Sequence, residues 1–323
     1  MPIRVERDTV VIGQLGVSFH RTLRIPDDGK PYPLPPGLGR FPLQLARDLG
    51  NQRPTQWDPG DLFLPMYRRE ALWLGFTTDS GSHSAVQIGI GGVNAISGQP
   101  WHHRLGNDPQ NYLVCPDQPW LDGVMTESAL VRQFLAVPAR SGYPVDEQLP
   151  DADMAPGLHL RVYAPHPERL ADIVQMTSRQ EPTPPHIQAG IDLGVGVGGT
   201  MRQRIYPDRY GISVWNASTE TTVTVHLVSP ESYRHLTGEE PPPSPVSAGA
   251  YTEAGLPWFE LDDEDTETLP PTPELTGVSS VRDIDLQQNV PPIEEEQPVQ
   301  LESDQVKRVH RHSDDHSGGH RFT

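Results

Sequence analysis

The chain has 323 residues, 25 Lys+Arg against 43 Asp+Glu for a formal net charge of -18, and 36 prolines. That charge argues against a nucleic-acid binder, and no apolar run approaches the ~18–20 residues of a membrane-spanning helix. Proline at about twice its usual share argues against a coiled coil or a mostly helical bundle.

The first segments read as short strands separated by breakers. Val10–Ile12 is an apolar run stopped by Gly13. Val17, Phe19, Leu23 and Ile25 then alternate with Ser18, His20, Thr22 and Arg24, the period of a half-buried strand with Arg21 as an interruption. Pro26-Asp27-Asp28-Gly29 is a turn, and residues 31–60 are mostly loop with one short helical stretch near Leu43–Leu49. Leu72, Leu74 and Phe76, followed by Val86, Ile88 and Ile90, predict two strands that pair as an antiparallel hairpin. Residues 97–128 read as loop. Strands follow at Leu130–Val137 and around Leu158, Leu160 and Val162, each closed by a proline that lacks the ladder donor.

Pro167-Glu168 can open a helix running to about Met176. Residues 181–200 are Pro-rich and then Gly-rich, which predicts a flexible crossover. Strands are expected again at Met201–Tyr206, Gly211–Trp215 and Thr221–Val228. Ser229-Pro230-Glu231 is a helix start, with Gly238 as its stop.

Beyond Gly238 the composition changes. Residues 1–238 hold 24 acidic and 20 basic side chains, whereas residues 239–323 hold 19 and 5. Such a stretch has little apolar surface to offset its ordering entropy. It still contains Leu256-Pro257-Trp258-Phe259-Glu260-Leu261, unusually aromatic for a solvated tail. Large aromatics dominate interface energetics, so Trp258, Phe259, Leu256 and Leu261 are the candidate partner-binding residues; docking onto the chain's own body is the other outcome. Ser280 to Asp283 matches a capping box, with Leu275, Val278, Val281 and Ile284 spaced in threes.

The chemistry-bearing motifs are weak. Gly194 to Gly199 satisfies G-x-G-x-x-G, but a proline-rich segment precedes it and a strand-like alternation follows, so a nucleotide site is not expected. Cys115 with His102 or His103 is the nearest approach to a nucleophile and base, without a surrounding signature. Spacings for structural or catalytic metal are absent, and the C-terminal set His310, His312, His316 and His320 lacks a fixed geometry. The triplet Gln99-Pro100-Trp101 recurs as Gln118-Pro119-Trp120, with a related Leu256-Pro257-Trp258, and nothing longer aligns. One cysteine precludes an intramolecular disulfide and fits a reducing compartment.

The segments YLVCPDQPWLDG (112–123), VRQFLAVP (131–138) and GAYTEAGLPWFEL (249–261) resemble bacterial proteins of unknown function. The resemblance implies a bacterial cytosolic protein whose aromatic tail segment belongs with the body, and it supplies no activity or site residues.

The expected architecture is mainly β. An antiparallel β-sandwich-like body carries two or three short helices, its division into two β subdomains left open, followed by a disordered acidic tail. The boundaries are 1–165 for a β-rich subdomain, 166–200 for a linker, 201–238 for further strands and a helix, and 239–323 for the tail. The expected function is a non-enzymatic cytoplasmic scaffold that recruits a protein partner through the aromatic tail segment. Neither a cofactor, a metal, a nucleic acid nor a membrane is expected to take part. The alternative is a hydrolase whose site is assembled from loops around residues 97–125, its catalytic residues unassigned.

Overall fold

A computed structural model describes residues 1–79, 81–150, 156–169, 193–262, 266–291 and 298–310. Strands dominate the described residues. The first six are β1 (Ile3–Glu6), β2 (Thr9–Ile12), β3 (Leu15–Thr22), β4 (Pro31–Tyr32), β5 (Gly37–Arg40) and β6 (Gln44–Leu45). A 3-10 helix at Ala46–Gln52 precedes β7 (Leu62–Pro65), β8 (Ala71–Thr78), β9 (Ser84–Ile90) and β10 (Val93–Asn94). Next come β11 (Leu113–Cys115), β12 (Trp120–Leu121), β13 (Gly123–Glu127), β14 (Leu130–Pro138), β15 (Leu158–Tyr163), β16 (Leu193–Arg202) and β17 (Thr221–Val228). The C-terminal part holds α1 (Pro230–Thr237), α2 (Ala248–Glu253), β18 (Trp258–Asp262), α3 (Pro273–Thr276), α4 (Val281–Gln287) and β19 (Val306–His310).

The ladders form two layers. One runs β1–β2–β3–β8–β14–β16, antiparallel throughout. The other runs β11–β9–β15–β17, antiparallel, and adds β7 in parallel beside β17. The layers meet where Leu193 of β16 pairs with Leu227 of β17. Alternate residues of both layers point into one apolar core. Val17, Phe19, Leu72, Leu74, Phe76, Phe134 and Val195 share it with Val86, Ile88, Ile90, Leu158, Leu160, Val162, Val223 and Val225. This is the two-layer solution for strands with one apolar face each.

The remaining sheet faces are covered by helices and loops. Val281 and Ile284 of α4 pack on Ala71, Leu135, Val137 and Tyr143. Tyr233 of α1 packs on Trp57, Phe63 and Val228. The helix starts were legible: Pro230 opens α1, and Gly238 ends it in the left-handed region at φ 73. Ser280 and Asp283 form the reciprocal capping box of α4.

Several sequence expectations are corrected. The runs around Leu72–Phe76 and Val86–Ile90 are strands, but β8 and β9 do not pair with each other. The β8 edges are taken by β3, β12 and β14, and those of β9 by β10, β11 and β15, so the loop between them crosses from one layer to the other. The glycine run at 194–199 is neither linker nor turn. It lies in β16, paired with β14 and buried, and glycine is needed there by close approach: a Cβ on Gly199 would sit 2.2 Å from the backbone oxygen of Pro26. Residues 97–128 hold three strands, 203–206 fall outside β16, and Ile212–Val214 is a 3-10 turn. Pro167–Arg169 is a 3-10 turn, and the rest of the helix expected there lies outside the described residues.

The described parts of the acidic extension lie on the body. The Leu34 amide donates to the Phe259 carbonyl at 2.7 Å and the Phe259 amide to the Leu34 carbonyl at 2.9 Å, which joins β18 to the body. Trp258 is 0% exposed. Arginines of the body hold the rest. Arg21, itself in a buried ion pair with Glu70, donates to the Pro243 carbonyl; Arg132 donates to that of Val278; Arg204 donates to that of Thr266. Arg69 pairs with Asp285 at 2.6 Å, and the Tyr143 hydroxyl donates to the same carboxylate oxygen at 2.7 Å. Aggregate acidity favoured a solvated chain, but the local pattern of Leu275, Val278, Val281 and Ile284 supplies the apolar surface that orders this part. Residues 263–265, 292–297 and 311–323 lie outside the described residues.

Candidate functional site

A groove of about 750 Å³ opens beside the bridge between Leu34 and Phe259 of β18. Pro31, Pro33 and Leu34 line it together with Phe259, Glu260 and Leu261 of the strand bonded to Leu34. Gln118, Pro119, Trp120, Arg202 at the end of β16 and the following Gln203 and Arg204 also line it, with Ser128 to Leu130 and Tyr206. Three of these residues are prolines without an N–H, so the lining offers ring faces more than backbone donors.

Each aromatic wall is fixed from behind. The Trp120 indole N–H donates to Asp122 Oδ2 at 2.7 Å, and the Asp122 amide donates to Gln203 Oε1 at 2.9 Å. Burial pushes the Asp122 carboxyl up to about 7, and the hydrogen bond from Trp120 opposes this. Gln118 ties the loop to the end of β16: its Nε2 donates to the carbonyls of Trp120 and Arg204, and its Oε1 accepts from the Tyr206 amide. Behind Phe259, the Trp258 indole N–H donates to Thr252 Oγ1 at 3.1 Å and the ring packs against Tyr32 and Tyr251. Arg202 pairs with Glu260 at 2.6 Å across the groove, and Arg308 approaches the same carboxylate at 3.8 Å.

The four candidate partner-binding residues separate. Phe259 and Leu261 line the groove. Trp258 supports it from the interior, and Leu256 lies outside it at 43% exposure. Arg202, Arg204, Tyr206 and the proline wall were not singled out from sequence. The available signal was the alternating run from Met201 to Tyr206, which suggested a strand with Arg202 and Arg204 on one side, but β16 ends at Arg202. The proline wall gave none, because its apposition to Phe259 spans more than 220 residues of chain.

The other candidate constellations are not assembled. Cys115 is buried at a strand end, while His102 and His103 are exposed and outside the groove. The buried thiol and the exposed imidazoles count against a thiol–imidazole pair. Of the C-terminal histidines, His312, His316 and His320 lie outside the described residues, and no group of three or more metal-capable side chains occurs among the described residues. Asp208 has a structural role. Its carboxylate accepts the Tyr112 hydroxyl at 2.6 Å, the Trp215 indole N–H at 2.9 Å and the Tyr210 amide at 2.7 Å, which pins the loop that follows β16.

No family model, no curated protein and no solved structure matches this chain. Among the described residues no helix is long and apolar enough to cross a membrane.

Proposed function

We propose that the chain is a non-enzymatic protein-binding module of the cytoplasm, which takes an extended, proline-bearing segment of a partner protein in the groove walled by Phe259 and Leu261. The observation that carries this reading is the groove itself. It gathers Trp120, Tyr206 and Phe259 around one opening, and aromatic-lined grooves suit the preformed polyproline II helix. The aromatic segment of the extension thus acts as one wall of a binding site rather than as a free recruiting arm. The single, buried Cys115 supports a reducing compartment.

The test titrates the full chain with a blocked octaproline peptide, followed by tryptophan fluorescence and by mass spectrometry of the peptide. The expected result is saturable binding that falls at least about tenfold in Trp120→Ala and in Phe259→Ala, with the peptide recovered intact. Circular dichroism checks that both variants keep the strand signal. Binding insensitive to both substitutions would overturn the reading, and so would cleavage of the peptide.

A further inference from the structure

The sheet does not stop at β16. Thr200 and Met201 pair in parallel with Pro31 and Tyr32 of β4, Leu34 exchanges hydrogen bonds with Phe259, and β18 pairs in parallel with β19 over five positions, from Trp258↔Val306 to Asp262↔His310. Among the described residues β18 is the only strand partner of β19, so β19 is the edge of this extended layer.

The orientation of that edge follows from one bond. The Trp258 amide donates to the Gln305 carbonyl. In a parallel ladder the backbone groups of Lys307 and Val309 then face β18, and those of Val306 and Arg308 face outward. Among the described residues the edge is open: Lys307 and Arg308 are exposed, the Arg308 side chain to 74%, and Val309 is 43% exposed.

The sequence of this edge is unusual for the chain. Lys307 is one of only two lysines, and Arg308 follows it directly, in a molecule of net charge -18. Within the chain Arg308 approaches Glu260 at 3.8 Å and the Lys307 ammonium donates to the Asp304 carbonyl, and both side chains remain exposed. Consecutive strand residues point to opposite faces, so Lys307 and Arg308 place one cation on each side of the edge. Edge lysines commonly serve to prevent strand association. They do so against a copy of themselves: an antiparallel β19–β19 pair would bring like charges into opposition, which is destabilising. Against a strand carrying carboxylates the same two residues are attractive.

We infer that the β19 edge is a second docking surface, which takes an extended acidic segment of a partner protein by strand addition. The ladder is formed with the outward backbone groups of Val306 and Arg308, and adjacent carboxylates of the segment face Lys307 and Arg308 on the two sides. This surface adjoins the groove through the approach of Arg308 to Glu260 but uses residues outside the groove lining.

The probe is a blocked peptide of sequence Val-Glu-Glu-Val-Glu-Glu, with its lysine counterpart Val-Lys-Lys-Val-Lys-Lys, titrated into the full chain and followed by backbone amide shifts. The acidic peptide is expected to shift Val306 and Arg308, to lose about tenfold in affinity in the double variant K307E/R308E, and to weaken with added salt. A version N-methylated at alternate amides is expected not to bind, which tests the ladder without altering the protein. Val306→Pro, which removes one outward donor, repeats the test from the protein side while Trp120→Ala leaves binding unchanged. Equal binding of the lysine peptide, full binding of the N-methylated peptide, or concentration-dependent dimerisation abolished by Val306→Pro would overturn the inference; the last outcome would assign the edge to a second copy.

Discussion

Trp258→Ala is the most informative single substitution, because it asks whether the aromatic segment of the acidic extension is part of the fold. The side chain is fully buried, contacts Tyr32 of the body and Tyr251 of α2, and its indole N–H bonds Thr252 Oγ1. A buried tryptophan removes roughly 150–250 Å² from water, about 4–6 kcal/mol at ~25 cal/mol per Å². Truncations of this size measured in other cores cost about 3–5 kcal/mol. Thr252 Oγ1 keeps its bond to the Ala248 carbonyl, so no further penalty arises from an orphaned hydroxyl. Urea unfolding followed by far-ultraviolet circular dichroism is expected to show a loss of about 3–5 kcal/mol with an unchanged slope. A loss below about 1 kcal/mol would refute the reasoning, since the residue would then be covering the body without stabilising it.

Three other outcomes follow from the same geometry. Asp285→Ala leaves Arg69 and Tyr143 without their shared carboxylate, and is expected to cost about 2–4 kcal/mol in the same assay, with Asp285→Asn intermediate because its side-chain oxygen still accepts from Tyr143. Asp122 has a folded-state value raised to about 7, above that of an unfolded chain, so its contribution to stability is full below about pH 4 and is lost as the pH rises through 7; Asp122→Asn, still accepting from Trp120, is expected to lose less stability over that range than wild type, read from urea midpoints at pH 4 and pH 8. Gly199→Ala places a Cβ against the Pro26 carbonyl and is expected to cost about 1–3 kcal/mol, read from the urea midpoint.

Much of the strand framework was legible because its signals are local. Thr221–Val228 is a strand over the bounds read from its alternation, and α1 and α4 start at the caps that mark them. Pairing was less legible, since it depends on which edge is already occupied. The short connection between Phe76 and Val86 suggested a hairpin, yet the two strands lie in different layers. The glycine run at 194–199 misled for a related reason: glycine signals a flexible turn in isolation, but here it lets β16 lie against Pro26 and Val137. The groove was half legible. Phe259 and Leu261 were found because aromatics are rare in acidic stretches, and the Gln118-Pro119-Trp120 triplet was noticed as an echo. Their convergence with Pro31 and Pro33 is tertiary, and no periodicity records it.

The account rests on the aromatic segment being held in the sheet, with the groove as its consequence. Native-state hydrogen exchange at the amides of Leu34 and Phe259, which bond to each other's carbonyls, tests this most directly. The account predicts that both amides of the full chain are protected to a similar degree and lose that protection together in Trp258→Ala. Exchange of Phe259 at the rate of an unstructured chain, with Leu34 unaffected, would contradict it.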